Sequence, residues 1–376
     1  MPSINIPAVK AAMSAKGLSG RKLAEVLSVS PQTVTNWLTS AAFPHPSQLL
    51  KLALNLRIPF EELVLKEAPG ANEPRVAARA RQNRQLSDEA LAELKGMGKL
   101  LEQLAEHLPF DTLESPPRLA APVVEYEYLQ RVSKKIRGEI GLDQEEPVLF
   151  KNLVSRFSAH KAVLIPVFWG KKDGHENAIH VLLPKSGTTW VYLNLDTYLP
   201  DFNFWMAHEL GHVYSPSLGG IDAEKFADAF AGALLFPSPI AKKTYMALVN
   251  LGSPTKKCKV LNDYAQDYGI SSYSVFKEAN NFAASNRLEA IKIPPSLLHG
   301  NRHSENDHHG TVSELLWNNT LPNSEDYIAV AQTAFATVFF ETLSKFLVAE
   351  EKPASFVQAV LDIPLSDARA LHLELA

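Results

Sequence analysis

Between residues 18 and 38 apolar side chains fall at Leu23, Ala24, Leu27, Val29, Val34 and Trp37, with polar residues between them. That spacing places the apolar positions on one face of each of two short helices joined by a tight turn. Ser30 is placed to cap the second helix and Pro31 to open it, where the missing N–H removes no hydrogen bond. The segment Glu67-Ala-Pro-Gly-Ala-Asn-Glu-Pro74 then breaks the pattern and marks a boundary. Periodicity resumes after Ser87, which caps a helix with Asp88 and Glu89 in its first turn. Leu94, Met97, Leu101, Leu104 and Leu108 follow at three-and-four spacing. So short a stripe either pairs two protomers or packs against a neighbouring domain.

Pro116-Pro117 closes this region, and a helix is predicted over about residues 124–141. The apolar runs 162–168, 178–183 and 190–195 read as strands of one antiparallel sheet. Phe226, Phe230, Leu234 and Leu235 recur at helical spacing until Phe236-Pro237 stops them. The polar stretch 301–309, with His303, His308 and His309, reads as a solvated loop. The longest apolar run, 328–340, contains Gln332, is too short to span a bilayer and reads as a buried helix. The whole pattern predicts an α+β, mostly helical chain divided at residues 1–67, 68–120, 121–295 and 296–376. The last part is expected to be a helical sensor or dimerisation module.

At 46% hydrophobic and 21% charged residues, the chain has the composition of globular domains, not of a disordered or membrane-spanning protein. Its one cysteine, Cys258, excludes an internal disulfide framework and fits a reducing compartment; the lysines around it favour a thiolate, but a lone thiol is more often a bystander. The opening Met-Pro-Ser-Ile-Asn-Ile-Pro has neither the basic nor the apolar segment of a signal peptide, so a cytoplasmic protein is expected. Charge divides unevenly. Residues 1–66 hold seven Lys/Arg (Lys10, Lys16, Arg21, Lys22, Lys51, Arg57 and Lys66) against Glu25, Glu61 and Glu62, a net +4. The whole chain is −4, leaving −8 elsewhere. A basic head on an acidic body confines nucleic-acid contact to the head.

The strongest chemical signal is Met206-Ala-His-Glu-Leu-Gly-His212. Two histidines four apart share a helix face, with Glu209 between them, in the HExxH pattern of zinc peptidases. In that chemistry His208 and His212 ligate Zn²⁺ and Glu209 activates water at the open position. A third ligand is needed, and Glu224, twelve residues on at the head of the next apolar helix, can supply it. Asp228, one turn further, can accept the second ring N–H of a ligating histidine. His180, Tyr214 and Tyr264 remain alternatives for stabilising an oxyanion.

With Val191-Tyr-Leu-Asn194 and Ala223–Pro237 added, residues from about 75 to 290 resemble the ImmA/IrrE family of HExxH metallopeptidases. The downstream segment 261–271 is similar to the one that closes the family's peptidase core. That resemblance implies a small sheet backed by helices, and proteolysis of a DNA-binding repressor. Residues 4–66 resemble the XRE/Cro-type helix-turn-helix domain, most specifically at Val29-Ser-Pro-Gln-Thr-Val-Thr-Asn-Trp37. On that match Gln32, Thr33, Thr35 and Asn36 face the major groove, and Arg21 and Lys22 meet phosphate. Arg75, Arg79, Arg81 and Arg84 either extend that contact or begin a solvated helix. The expected partners are an inverted repeat of double-stranded DNA, a second copy of the chain, and a protein substrate held along the sheet edge.

Two functions follow. The chain is either a DNA-bound regulator whose zinc endopeptidase cuts a repressor, another partner or itself under stress, or a ligand-responsive transcription factor or antitoxin-like repressor that uses the peptidase fold as a non-proteolytic sensor.

Overall fold

The computed structural model describes residues 3–39, 44–65, 72–78, 87–110, 118–170, 177–298 and 310–376. The chain divides into two compact units, Met1–Glu73 and Pro74–Ala376. Arg79, Arg81, Arg84, Pro116-Pro117, His303, His308, His309 and most of the proline- and glycine-rich linker lie outside the described residues.

The first unit contains helices α1 (Ile6–Ala15), α2 (Gly20–Leu27), α3 (Pro31–Leu38), α4 (Pro46–Leu56) and α5 (Phe60–Leu63). Strand β1 (Ser3–Ile4) pairs antiparallel with β2 (Val64–Leu65). Side chains cap the first three helices: Asn5 Oδ1 accepts from Ala8 N, Ser19 Oγ from Lys22 N, and Ser30 Oγ from Thr33 N. Each cap satisfies a donor that has no partner inside its helix. Leu23, Ala24, Leu27, Val34 and Trp37 are buried with Val9, Met13, Leu49, Leu52, Leu56 and Leu63. The apolar positions of the predicted two-helix motif therefore form one small core.

The second unit is built on a four-stranded sheet in the order β3 (Arg75–Ala78), β5 (Ala178–Leu183), β6 (Thr188–Asn194), β4 (Ala162–Val167). Two expectations are corrected. First, the sheet is mixed: β3–β5 and β5–β6 are antiparallel, but β4 lies parallel to β6. Apolar runs identify strands without giving their direction, and β4 is buried along its whole length, as parallel strands covered on both faces are. Second, Arg75 begins a strand, not a helix.

Helix α6 (Asp88–Leu104), capped by Ser87 Oγ on Ala90 N, packs its Met97, Leu101 and Leu104 into the core of the second unit. Helices α7 (Tyr126–Glu139) and α8 (Phe150–Ala159) follow, then α9 (Leu199–Tyr214), α10 (Gly220–Leu235), α11 (Ser238–Val249), α12 (Pro254–Tyr268) and α13 (Ser272–Ser285). The later helices Ser324–Phe335, Phe339–Ala349, Ala354–Leu361 and Leu365–Leu375 join the same core. Tyr192 Oη on β6 donates to Val360 O at 2.7 Å, and Trp169 Nε1 to Leu361 O at 2.9 Å. Packing thus continues across residue 296, where the sequence suggested a division. The run 328–340 is also not one helix, because Ala336 takes a left-handed conformation (φ 45°) and separates two helices. No helix among the described residues is long and apolar enough to cross a membrane.

Candidate metal centre and nucleic-acid interface

Helix α9 is buried around nearly its whole circumference, and His208, Glu209 and His212 are all buried. It can lie so deep because Gly211 lets α10 approach: a Cβ at that position would sit 2.9 Å from Ala227 Cα. This contact brings Glu224 and Asp228, on the first turns of α10, over the histidine face of α9.

The result is a tight triangle of ligand-type atoms. His208 Nε2 and His212 Nε2 are 3.2 Å apart, His208 Nε2 is 3.3 Å from Glu224 Oε2, and His212 Nε2 is 3.4 Å from Glu224 Oε1. On its other ring nitrogen, His208 Nδ1 lies 3.0 Å from Asp228 Oδ1. Among the described residues, His208, His212 and Glu224 form the one group of three or more such side chains gathered closely enough to hold a metal ion. Zinc bonds of about 2.0–2.2 Å in tetrahedral array separate neighbouring ligand atoms by roughly 3.3–3.6 Å. The three distances lie close to that spacing, so the donor set fits a tetrahedral divalent cation.

The electrostatics are those of a buried site short of positive charge. Burial opposes protonation of His208, but hydrogen bonds to Asp228 and Glu224 outweigh it and raise the group to about 9. Burial lowers His212, and its hydrogen bond to Glu224 does not make up the difference. Burial alone would raise Glu224, yet the two histidines hold it well below the usual carboxylate range. A cation among these groups would replace a proton shared between histidine and carboxylate.

Glu209 faces the sheet, with Oε2 4.0 Å from His180 Nδ1 on β5. The His180 ring centroid is 5.4 Å from that of His212, and burial holds this histidine well below its ordinary value, hence neutral. The other two oxyanion candidates have different neighbours. Tyr214 Oη is bonded to His160 Nε2 at 2.8 Å and receives a bond from Arg156 Nε, while Tyr264 lies on α12 with its ring edge-on to Phe236. The sequence reading missed Trp205, whose ring packs at 5.2 Å against His208. Its position one turn before His208 on the same helix is the signal that could have found it.

In the first unit, Arg21, Lys22, Gln32 and Thr35 are exposed, and Thr33 and Asn36 half-exposed. Gln32 Nε2 donates to Asn36 Oδ1 at 2.9 Å, which holds both amides on one face of α3. The two threonines are engaged locally: Thr33 Oγ1 with the capping Ser30 Oγ at 2.7 Å, and Thr35 Oγ1 with Pro31 O at 3.0 Å. All four polar side chains of α3 are thus engaged in local hydrogen bonds within the helix or its cap.

Residues 7–69 match the Bacteriophage CI repressor helix-turn-helix domain family. That match stops well short of residues 206–228. No curated protein matches the chain. A solved structure, Bacillus thuringiensis PlcR in complex with the peptide PapR7 and DNA, aligns with 93% of this chain and 97% of its own at 12% identity. Its TM-score is 0.14, so that alignment carries no argument about fold. The family match and the geometry of α2 and α3 give the first unit its identity, a phage CI-type helix-turn-helix DNA-binding domain at the head of a longer regulator.

Proposed function

We propose that the second unit is a zinc endopeptidase of the ImmA/IrrE kind, and that the chain is a transcriptional regulator that cuts a repressor, another partner protein or itself under stress. The observation that carries this reading is the convergence of His208 Nε2, His212 Nε2 and Glu224 at 3.2–3.4 Å. His208, His212 and Glu224 would hold Zn²⁺, which when bound supplies Lewis acidity toward a peptide carbonyl and a strongly acidified water. Asp228 accepts the Nδ1 proton of His208, which fixes the tautomer and leaves Nε2 free to ligate. Glu209, buried beside His180, is placed to take a proton on its carboxylate and return it to the leaving amine. Neutral His180 can donate one hydrogen bond to a developing oxyanion.

A second reading is favoured by a different observation: the family match concerns DNA binding alone. On that reading the same buried site senses a metal or a small ligand and cuts nothing. One experiment separates the two. The full chain and its Glu209→Gln variant are loaded with zinc, analysed for metal, and incubated with the proteome of the native host, whose new N-termini are read by mass spectrometry. The peptidase reading expects about one zinc per chain in both proteins and new termini only with Glu209 present. Identical termini from both proteins would leave the sensor reading.

A further inference from the structure

The edge of the sheet beside the metal helix is already filled, by the chain itself. Strand β3 pairs antiparallel with β5 in a register that sets Ala77 opposite His180 and Arg75 opposite Leu182. Directly opposed residues point to the same face of a sheet. Ala77 therefore projects on the side where His180 meets Glu209 and His212. On this side β3 packs against α10, the helix that carries Glu224 and Asp228. Its other face is held by α6, where Val76 is half-buried against the core and a Cβ on Gly98 would come within 2.5 Å of Pro74 Cβ.

We infer that β3 holds the strand position an extended peptide must take to reach the site, and that the ligand of this site is an extended segment with a small side chain opposite His180, which binds only where β3 gives way. The inference rests on the peptidase reading for the consequence of binding, but not for binding itself. Three features make β3 a displaceable occupant and not merely the last strand of the sheet. It pairs over only four residues and lies at the sheet edge. Arg75 is exposed, and both Val76 and Ala77 remain partly open to solvent. It begins two residues after Glu73, where the first unit ends, and is the first described element of the second unit. Short strands at a sheet edge, paired on one side only, open at lower cost than strands paired on both sides. A peptide competing for β5 would gain the same backbone bonds that β3 gives up. The side chain opposite His180 in the filled edge is the small one of Ala77, and His180 is itself buried, which sets the expected preference for small residues.

The test uses the full-length, zinc-loaded chain carrying Glu209→Gln, so that nothing is cut, and a fluorescent peptide with the sequence of residues 72–80. Two changes act on β3 in opposite directions. Val76→Asp loosens it by placing a charge against the core, and Val76→Cys with Val181→Cys, opposed in the β3–β5 register, locks it when oxidised. Loosening should tighten peptide binding about tenfold, and oxidation of the cysteine pair should weaken it about tenfold, reversibly on reduction, because affinity scales with the fraction of chains whose edge is open. Should Val76→Asp fail to fold, the reversible lock still decides the matter within one protein. Equal affinity in the oxidised and reduced states overturns the inference. The same lock is then placed in the chain with Glu209 intact. Peptide binding that responds to the lock without any cleavage upholds the occupied edge and removes the peptidase reading, whereas cleavage indifferent to the lock overturns the occupied edge and keeps the peptidase.

Discussion

Replacing Gly211 by alanine should weaken metal binding although no ligand is touched. The new Cβ would lie 2.9 Å from Ala227 Cα, 3.2 Å from Phe230 Cδ1 and 3.3 Å from Ala227 Cβ. Carbon atoms pack best at about 3.5–4.0 Å, so α9 and α10 must part by roughly 0.6 Å or more, and the first obstacle is backbone, which cannot swing aside. Glu224 stands on α10 one turn before Ala227 and moves with it. A metal site tolerates errors of only about 0.2 Å in its ligand distances, so a displacement of that size degrades the triangle. Alanine is the better helix former by about 1 kcal/mol, while overpacking a core costs about 1–3 kcal/mol. The steric term therefore wins or at worst breaks even, and a net loss of up to about 2 kcal/mol is expected. Gly96→Ala is the control, since a Cβ there meets nothing within 4 Å. It should stabilise α6 by about 0.5–1 kcal/mol. Zinc affinity measured by chelator competition should fall about tenfold or more for Gly211→Ala and stay unchanged for Gly96→Ala. Wild-type zinc affinity in Gly211→Ala would refute the argument that helix approach sets the ligand geometry.

Two further outcomes are expected away from the metal. Burial pushes the Glu278 carboxyl up from 4.5 to about 7, with Lys277 and the hydrogen bond from Asn281 opposing. The folded chain therefore keeps a proton that the unfolded chain has lost. Stability is full at low pH and declines as pH rises through about 4.5 to 7, by roughly 3 kcal/mol on a linkage of about 1.4 kcal/mol per pH unit. Glu278→Gln should flatten that decline in urea titrations from pH 5 to 8, and a variant as pH-dependent as the wild type would show that another group is responsible. In the DNA-binding unit, Asn36→Ala should cost about 1–3 kcal/mol at particular base positions, while Lys22→Ala should weaken binding evenly across sequences and lower the salt slope by about one. Competition binding on a selected operator reads both, and a sequence-independent loss in Asn36→Ala would remove that residue from base readout.

Local chemistry made the helix-turn-helix and the convergence of His208, His212 and Glu224 legible in the sequence. Ser30 and Pro31 announce α3 because a helix start needs an acceptor for its orphan donors, and His208, His212, Glu224 and Asp228 announce their faces because the period of a helix fixes them. The direction of β4 was not legible, since an all-apolar strand pairs equally well either way until the order of its neighbours is known. Nor was the break at Ala336, an ordinary residue whose left-handed backbone depends on the packing of the helices on either side. Strand β3 is the most consequential miss. Arg75-Val-Ala-Ala78 has no alternation of its own and stands beside arginines that suggest a solvated surface. It becomes a strand only because β5 offers an open edge and α6 covers one of its faces. A segment whose structure comes from its neighbours loses that structure when they shift, whereas the capped helices of the DNA-binding unit carry their own start signals. Strand β3 is therefore the element expected to give way first beside the face presented by His180.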